Sequence, residues 1–392
     1  MRVRKKATAW FLVLTAGCGP ALSETTERAS AEGVVWLDSG IGLTEVDLSS
    51  GKPSFRSGRA VASPDHSRVF TYRSAADETE LSDAGKPTAG GALSVPGELE
   101  PAVVSGSGEL VALTESQTDA SLWEPTSRPR TEITVADVSE GESRTFELEG
   151  NFEPEAFSVD DRRLYTIEYI PALAPTHYRV RILRLRTGKV SPIGRLKTQA
   201  PGQMRGTGRM QEYAPDGDVL YTLYTQQGPN SLHGDAHQSP NNANAFIHVL
   251  NLQFGWAHCV DLPQPFGTGD ATASAIAVSP SGMKLYVTDW SNGAVAIVDP
   301  ARLEVMRSAD AVLGAPDDET FAAAGDETLY VAGNDEIVAI EVMSLEVTDR
   351  WTMEAEVDGL ERTSAGDVVA VVAGELLLLG DGDPKLVAEL PS

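Results

Sequence analysis

Cysteine is nearly missing, with two in 392 residues, so no disulfide framework can hold this chain together. Cations are scarce as well. Against 57 Asp and Glu stand 31 Lys and Arg, a formal charge of −26. That deficit excludes duplex nucleic acid or an anionic lipid surface as a partner for the molecule as a whole, because each contacted phosphate needs a cation opposite it; local basic patches remain open. No apolar stretch is long enough to cross a bilayer as a stable helix. Missing too are the Gly-x-Ser-x-Gly elbow, the P-loop, paired Cys-x-x-Cys, the haem-attaching Cys-x-x-Cys-His and HExxH, so the reaction classes built on them lose support. Past the N-terminus no apolar period of 3.6 residues persists for three turns. What is present is 41% hydrophobic residues with 22% charged, enough for a large core and too apolar for wholesale disorder.

The N-terminus sets an expected compartment. Arg2, Arg4, Lys5 and Lys6 form a basic head, and Ala7 to Ala16 is a short, mainly apolar run of the kind found in signal peptides. It ends Leu14-Thr15-Ala16-Gly17-Cys18, which resembles the bacterial lipobox, with Thr15 in place of the commoner Leu. The resemblance implies cleavage after Gly17 and lipidation of Cys18. Residues 1–17 then form a lipoprotein signal peptide, and 18–29 a lipidated Cys with a polar tether. Cleavage removes four cations and no acid, taking the formal charge from −26 to −30. By analogy with enterobacterial lipoproteins, Gly19 and Pro20 in place of Asp after Cys18 point to the outer membrane, facing either the periplasm or the cell surface. Lipidation leaves Cys259 without a partner, and its alternating segment Trp256 to Leu262 makes it a small buried apolar side chain rather than a reactive thiol.

Residues 30–392 read as a single all-β domain. Short Val/Ile/Leu/Tyr runs recur, each preceded by a small-x-(Asp/Ser/Gly)-(Gly/Asp) turn: Ser63-Pro64-Asp65-His66, Ser105 to Gly108, Ser158 to Asp161, Ala214 to Gly217, Ser279 to Gly282, Ala323 to Asp326 and Ser364 to Asp367. Ser30-Ala31-Glu32-Gly33 is a weaker eighth. The turns are 33, 42, 53, 56, 65, 44 and 41 residues apart, the length of a four-stranded propeller blade plus variable loops. Leu285-Tyr286-Val287-Thr288-Asp289 followed by Ala294 to Asp299 resembles the YVTN-type β-propeller repeat, and Leu329 to Gly333, Leu164 to Thr166 and Leu220 to Thr222 echo it. The expected fold is therefore one β-propeller of four-stranded blades. The turns favour eight blades, with seven as the alternative, since the first inner strand would fall on the very polar Ser23 to Ala29.

In a propeller, the loops from second to third strand and from outer strand to next blade share one face. Blades three, four and five carry long second-to-third loops, Gln117–Arg130, Ile170–His177 and Gln226–Ala243, and the stretch Ala200 to Arg209 joins the same side. These loops define an expected ligand-binding rim with Trp123, Arg128, Arg130, His177, Arg205, Arg209 and Trp290 as its candidate residues. Trp123 and Trp290 are the candidate aromatic anchors for a protein partner. His233, Asp235 and His237 lie on alternate positions of one loop, an imidazole and carboxylate set suited to Zn or Cu, although the spacing fits no strong metal signature. No other cofactor is expected.

Between His177 and Arg209 there are nine Lys and Arg and no acid. Two readings stand. Either the stripe binds an anionic glycan, lipid head group or acidic protein, or Glu147, Glu149, Glu153 and Glu155 neutralise it internally. Arg179 and Arg181 share one strand face and Arg184 and Arg186 the other, which predicts a bulge near Leu183. The functional expectation is a monomeric, membrane-anchored binding or scaffold propeller without catalysis, contacting an envelope protein or anionic glycan. The alternative is an envelope enzyme of the lactonase or metal-dependent oxidoreductase kind, which requires a cluster of acids or histidines at a channel mouth.

Overall fold

A computed structural model describes residues 32–38, 42–84, 92–115, 127–195, 204, 207–225, 243–311, 313, 319–380 and 382–390. The strands form eight separate sheets, met in chain order around a ring. Blade one holds Val34–Asp38, Leu43–Asp47 and Lys52–Ser57. The inner strands of blades two to eight are Ala60–Ala62, Leu99–Val104, Asn151–Phe157, Thr207–Tyr213, Ser274–Val278, Thr320–Ala324 and Val357–Arg362. Each blade is an antiparallel meander whose strands pair in sequence order from the channel outward.

Ring closure follows from where the apolar side chains go. One blade cannot bury both of its faces, and the buried residues fall into eight clusters, each filled from two neighbouring blades. The cluster that joins the ends of the chain contains Val35, Val46 and Leu48 with Val369, Leu376, Val387 and Ala388. Ser364 seals the same junction: its N–H donates to the Val34 carbonyl at 2.9 Å and its Oγ accepts from the Val34 N–H at 2.9 Å. Eight layers thus replace the seven-bladed alternative. Blade one shows three strands among the described residues, and Ser23 to Ala29, where its inner strand was expected, lie outside them.

The recurring turns have a common cause. Their fourth residue takes the left-handed conformation in His66 (φ 56°), Gly108 (φ 70°), Asp161 (φ 54°), Gly217 (φ 70°) and Gly282 (φ 69°), which Gly adopts freely and Asp or His tolerates better than a β-branched residue. The leading Ser closes the loop, as where Ser158 Oγ donates to Asp160 Oδ1 at 2.6 Å and accepts from Arg163 N–H at 3.0 Å. Asp137 and Asp299, at the ends of third strands, accept backbone N–H groups of the following turn and are structural. These turns define one end of the ring, the turn end; the long connections define the other, the loop end.

Blade five departs from the plan. The short segment Gly194–Arg195 adds to it as a fifth strand, parallel to the outer strand Trp256–Asp261. The chain leaving blade four is thereby clamped on blade five before it turns inward.

Candidate functional site

The loop end of blades three to five brings the described parts of the predicted rim together. Arg128 N–H donates to Ala172 O at 3.1 Å and Ser127 Oγ donates to Leu173 O, so the long connection of blade three rests on that of blade four. Met204, from the connection into blade five, exchanges two backbone hydrogen bonds with Tyr178 at 2.9 and 2.7 Å. Three connections therefore share one base.

Beneath it lies a buried polar cluster that the sequence did not reveal. Arg128 is 8% exposed; its Nη2 donates to Phe152 O at 2.9 Å and its Nε to Asn151 Oδ1 at 3.3 Å. Burial lowers the pKa of its guanidinium, while Glu153, Glu115 and Tyr169 act to raise it. Tyr169 OH donates to Glu153 Oε2 at 2.6 Å. Glu155, 2% exposed, accepts from Gln211 Nε2 of blade five at 2.6 Å. A β-bulge between Pro154 and Ala156 places Glu155 out of the regular pairing. Tyr213 beside it is raised by burial and then by Glu155. Buried charges of this kind persist only when opposite charges and donors surround them, and here one inner strand supplies the acids while blades three, four and five supply the donors.

An aromatic ladder packs against this cluster. Tyr169 and Tyr178 lie 6.1 Å apart, Tyr178 and Tyr224 5.2 Å, and Tyr224 and Phe246 5.0 Å, with His248 edge-on to Tyr224 at 6.2 Å. The rings stand at the loop end of blades four and five, inside the cluster shared by those blades. Their residues belong to strand ends in separate repeats, so only the stacking of blades brings them into one column.

The other predicted site residues are distributed differently. Arg130 is exposed and pairs with Glu149 at 2.9 Å and Glu147 at 3.9 Å, a weak surface arrangement. His177 is half-buried, with Nδ1 3.1 Å from Thr176 Oγ1. Trp290 is 1% exposed and fills the layer between blades six and seven, so it supports the core instead of standing on the rim. Arg209 faces Tyr224 in the strand pairing, and its side chain is outside the described residues. Cys18, Trp123, Arg205, His233, Asp235 and His237 also lie outside them. Among the described residues no three His, Cys, Asp or Glu side chains group to hold a metal ion.

His248 and His258 do not form a pair of ligands. His248 is registered with Cys259 and His258 with Val249, so the two imidazoles point to opposite faces of the sheet. Burial, then the neighbouring His258, pushes His248 down to about 4. Cys259 is a free thiol, half-buried where the sequence predicts a buried one, and raised by burial and then by Asp261, so it stays protonated at neutral pH. In a Cys18→Ser chain, iodoacetamide should leave it unmodified in the folded protein at pH ~7 and label it once urea exposes it. Rapid labelling of the native protein, read by intact mass, would contradict that assignment.

The basic stripe divides. Arg179 grips Glu168 through Nε at 2.6 Å and Nη2 at 3.1 Å, and Arg181 Nε lies 3.3 Å from the same carboxylate. Neutralisation therefore occurs, but through Glu168 of the same blade and not through the four acids expected: Glu147 and Glu149 serve Arg130, and Glu153 and Glu155 sit in the buried cluster. No bulge interrupts His177–Arg184, whose pairing with the preceding strand runs unbroken from Ile170↔His177 to Arg163↔Arg184. Arg184, on the same face as the buried Tyr178, Val180 and Ile182, is exposed at the end of the strand.

Fold and site together define a β-propeller of eight blades with an elaborated loop end. No family model matches the chain, and no curated protein does. Among solved structures it is similar to the dihydro-heme d1 dehydrogenase NirN in complex with DHE, with a TM-score of 0.52 and 13% identity over 95% of this chain and 77% of that one. It is also similar to Sqt1 of Saccharomyces cerevisiae, with a TM-score of 0.52 and 10% identity over 84% of this chain and 85% of that one. At such identities the likeness concerns the fold alone.

Proposed function

We propose that the protein is a bacterial envelope lipoprotein of the YVTN-type propeller class, anchored through Cys18, whose propeller serves as a binding platform. The observation that supports the binding role is the contact between the long connections of blades three and four, with the connection entering blade five bonded to Tyr178 beside them. A buried cluster of Arg128, Glu153, Glu155 and Tyr169 stiffens that base. An envelope protein or an anionic glycan is the partner proposed for this end. The anchor rests on the lipobox-like Leu14 to Cys18 and the basic head before it.

Metabolic labelling with palmitate tests the anchor. The wild-type chain should take up label and fractionate with membranes, and Cys18→Ser should lose the label; equal labelling of the two would end the lipoprotein reading. For the binding role, the loop spanning 117–126 is replaced by a short Gly-Ser linker and binding to envelope proteins and anionic glycans is compared with wild type. Loss of a wild-type ligand with an unchanged melting temperature supports the rim. A ligand retained by the shortened chain removes it.

The enzymatic reading gains one observation, the close placement of Glu153 and Glu155 on one inner strand. Lactone turnover abolished by Glu153→Gln would favour it over the platform. The metal reading of His233, Asp235 and His237 is decided by elemental analysis: zinc or copper bound stoichiometrically and lost from a His233→Ala/His237→Ala variant would support it.

A further inference from the structure

The turn end of blade four carries cations that the internal neutralisation does not use. Arg184, Arg186 and Lys189 surround the turn between the third and outer strands; Arg184 is the pairing partner of Lys189 and also of Arg163. Leu185 N–H donates to Arg162 O at 3.1 Å, which brings Arg162 to the same corner. From blade three, Arg144 reaches across, with Nη1 donating to Leu185 O at 2.7 Å and Arg186 O at 3.1 Å while its guanidinium lies 4.6 Å above the Phe146 ring. All five cationic side chains are exposed. Among the described residues, Arg144, Arg184, Arg186 and Lys189 form no ion pair with an acid; Asp160, in the first turn of blade four, lies 3.6 Å from Arg163 and also attracts Arg162. In a chain of charge −26, such a corner gives the molecule a strong charge asymmetry.

Beside it stands an uncovered aromatic ring. Phe254 is 70% exposed in the turn before the outer strand of blade five. That turn is fixed to blade four: Arg163 Nη2 donates to Gln253 O at 2.7 Å and Gly194 N–H to Gly255 O at 2.9 Å. Val159, in the first turn of blade four, is also exposed. Cations ringed by large apolar side chains on one edge are the chemistry of a phospholipid interface, where phosphates meet the cations and a ring enters the acyl boundary. A soluble polyanion would leave Phe254 in water.

The path of the chain points the same way. Gly33 enters the ring at the turn end, where a Cβ on it would lie 2.6 Å from Ser364 Oγ. From there back to Cys18 is a span of about 15 residues, at most ~50 Å when fully extended. We propose that the edge of the ring formed by the turn ends of blades three to five docks on an anionic phospholipid surface, with Arg144, Arg162, Arg184, Arg186 and Lys189 against phosphates and Phe254 in the interfacial layer. The acidic remainder of the ring is held away from the surface, and the loop end faces outward, free for a ligand. The cation and Phe254 contacts hold whether or not Cys18 is acylated, and they do not depend on the rim having a ligand.

The test uses the mature chain, residues 18–392 carrying Cys18→Ser, so that neither acyl chains nor the basic, apolar segment 1–17 contributes, with vesicles of phosphatidylglycerol in phosphatidylcholine and of phosphatidylcholine alone. Sedimentation should show binding to the anionic vesicles at low salt, release at high salt, and little binding to the neutral ones. Arg184→Gln/Arg186→Gln/Lys189→Gln should weaken binding about fivefold per charge, about 100-fold in all. Phe254→Ser should weaken it about tenfold, with the salt dependence retained. Arg73→Gln, on blade two, should bind as wild type. Unchanged circular dichroism and melting temperature establish that these exposed substitutions leave the fold intact. Equal binding to both vesicle types, wild-type binding by the triple variant, or binding to a soluble anionic polysaccharide with none to vesicles would each overturn the proposal.

Discussion

Trp290→Ala lowers the free energy of unfolding by about 3–5 kcal/mol, the cost of removing a large buried ring and leaving a cavity. The indole is 1% exposed and belongs to the layer shared by blades six and seven. Its backbone N–H donates to Ala273 O at 2.8 Å, which holds the residue at the top of the second strand and directs the ring into the gap between blades. Gly333 of blade seven leaves room for it: a Cβ there would lie 3.4 Å from the ring carbon Cε2. The ring therefore joins two blades, and its removal weakens their stacking more than either sheet. Urea unfolding followed by far-ultraviolet circular dichroism measures the effect. A midpoint matching wild type would show that the indole does not fill this layer. Trp290→Phe, which retains an aromatic body, should recover roughly half of the loss.

Acidification supplies the second large effect. His248 is buried between blades four and five and is pushed down to about 4, chiefly by burial. An unfolded histidine titrates near 6.5, so between pH ~6.5 and ~4 the unfolded chain binds a proton that the folded protein refuses. Its contribution to stability is fully present above pH ~6.5 and falls by about 3 kcal/mol as the pH drops to ~4, at about 1.4 kcal/mol per pH unit. His248→Gln should abolish that fall. The comparison has to be a difference between variant and wild type, because Glu212 works in the opposite direction. On the inner strand of blade five, desolvation among the crowded inner strands and then Glu361 raise Glu212 to about 8, with Arg362 opposing them. A raised carboxyl keeps its proton in the folded state, so its contribution is lost as the pH rises from ~4.5 towards ~8. Identical pH profiles for wild type and His248→Gln would rule out a neutral buried imidazole.

Glu212 also bears on what an inner strand tolerates. Inner strands were expected to be apolar, and Ser23 to Ala29 looked too polar for one. Here Gln211, Glu212, Asp358, Glu361 and Arg362 all occupy inner strands. An inner strand has one neighbour on its channel side, and that neighbour is water, so its composition is a poor guide to its position.

Much of the ring was legible in the amino acids because its recurrent turns need residues that accept a left-handed conformation. Ser158 to Asp161 and Ala214 to Gly217 mark the turns, and the apolar runs after them mark the second strands. In the sixth unit the runs Leu285 to Asp289 and Ala294 to Asp299 coincide with the observed strands Leu285–Asp289 and Ala294–Asp299. The grouping of long connections at one end followed from the alternation of strand direction. Failures came where a residue's surroundings belong to another blade. The stripe from His177 to Arg209 suggested a bulge near Leu183, yet Arg184 merely lies beyond the covered part of its strand. Trp290 looked like a loop aromatic, and only Gly333, more than forty positions away, shows why it is buried.

What the order of amino acids determined by itself was local and periodic: turns that require a left-handed residue, strands that alternate, their spacing and a basic head before Cys18. Backbone sterics and the two-residue repeat of a strand act over a few positions, so they can be read along the chain. Only the closed ring decided that Arg128 is buried within electrostatic reach of Glu153 and Tyr169, that Tyr178, Tyr224 and Phe246 form one column, and that Arg144 joins Arg184, Arg186 and Lys189 at a single corner. Those neighbours come from different blades. Their contacts depend on the angle and distance at which separate sheets stack, which the side chains of a whole interblade layer set together.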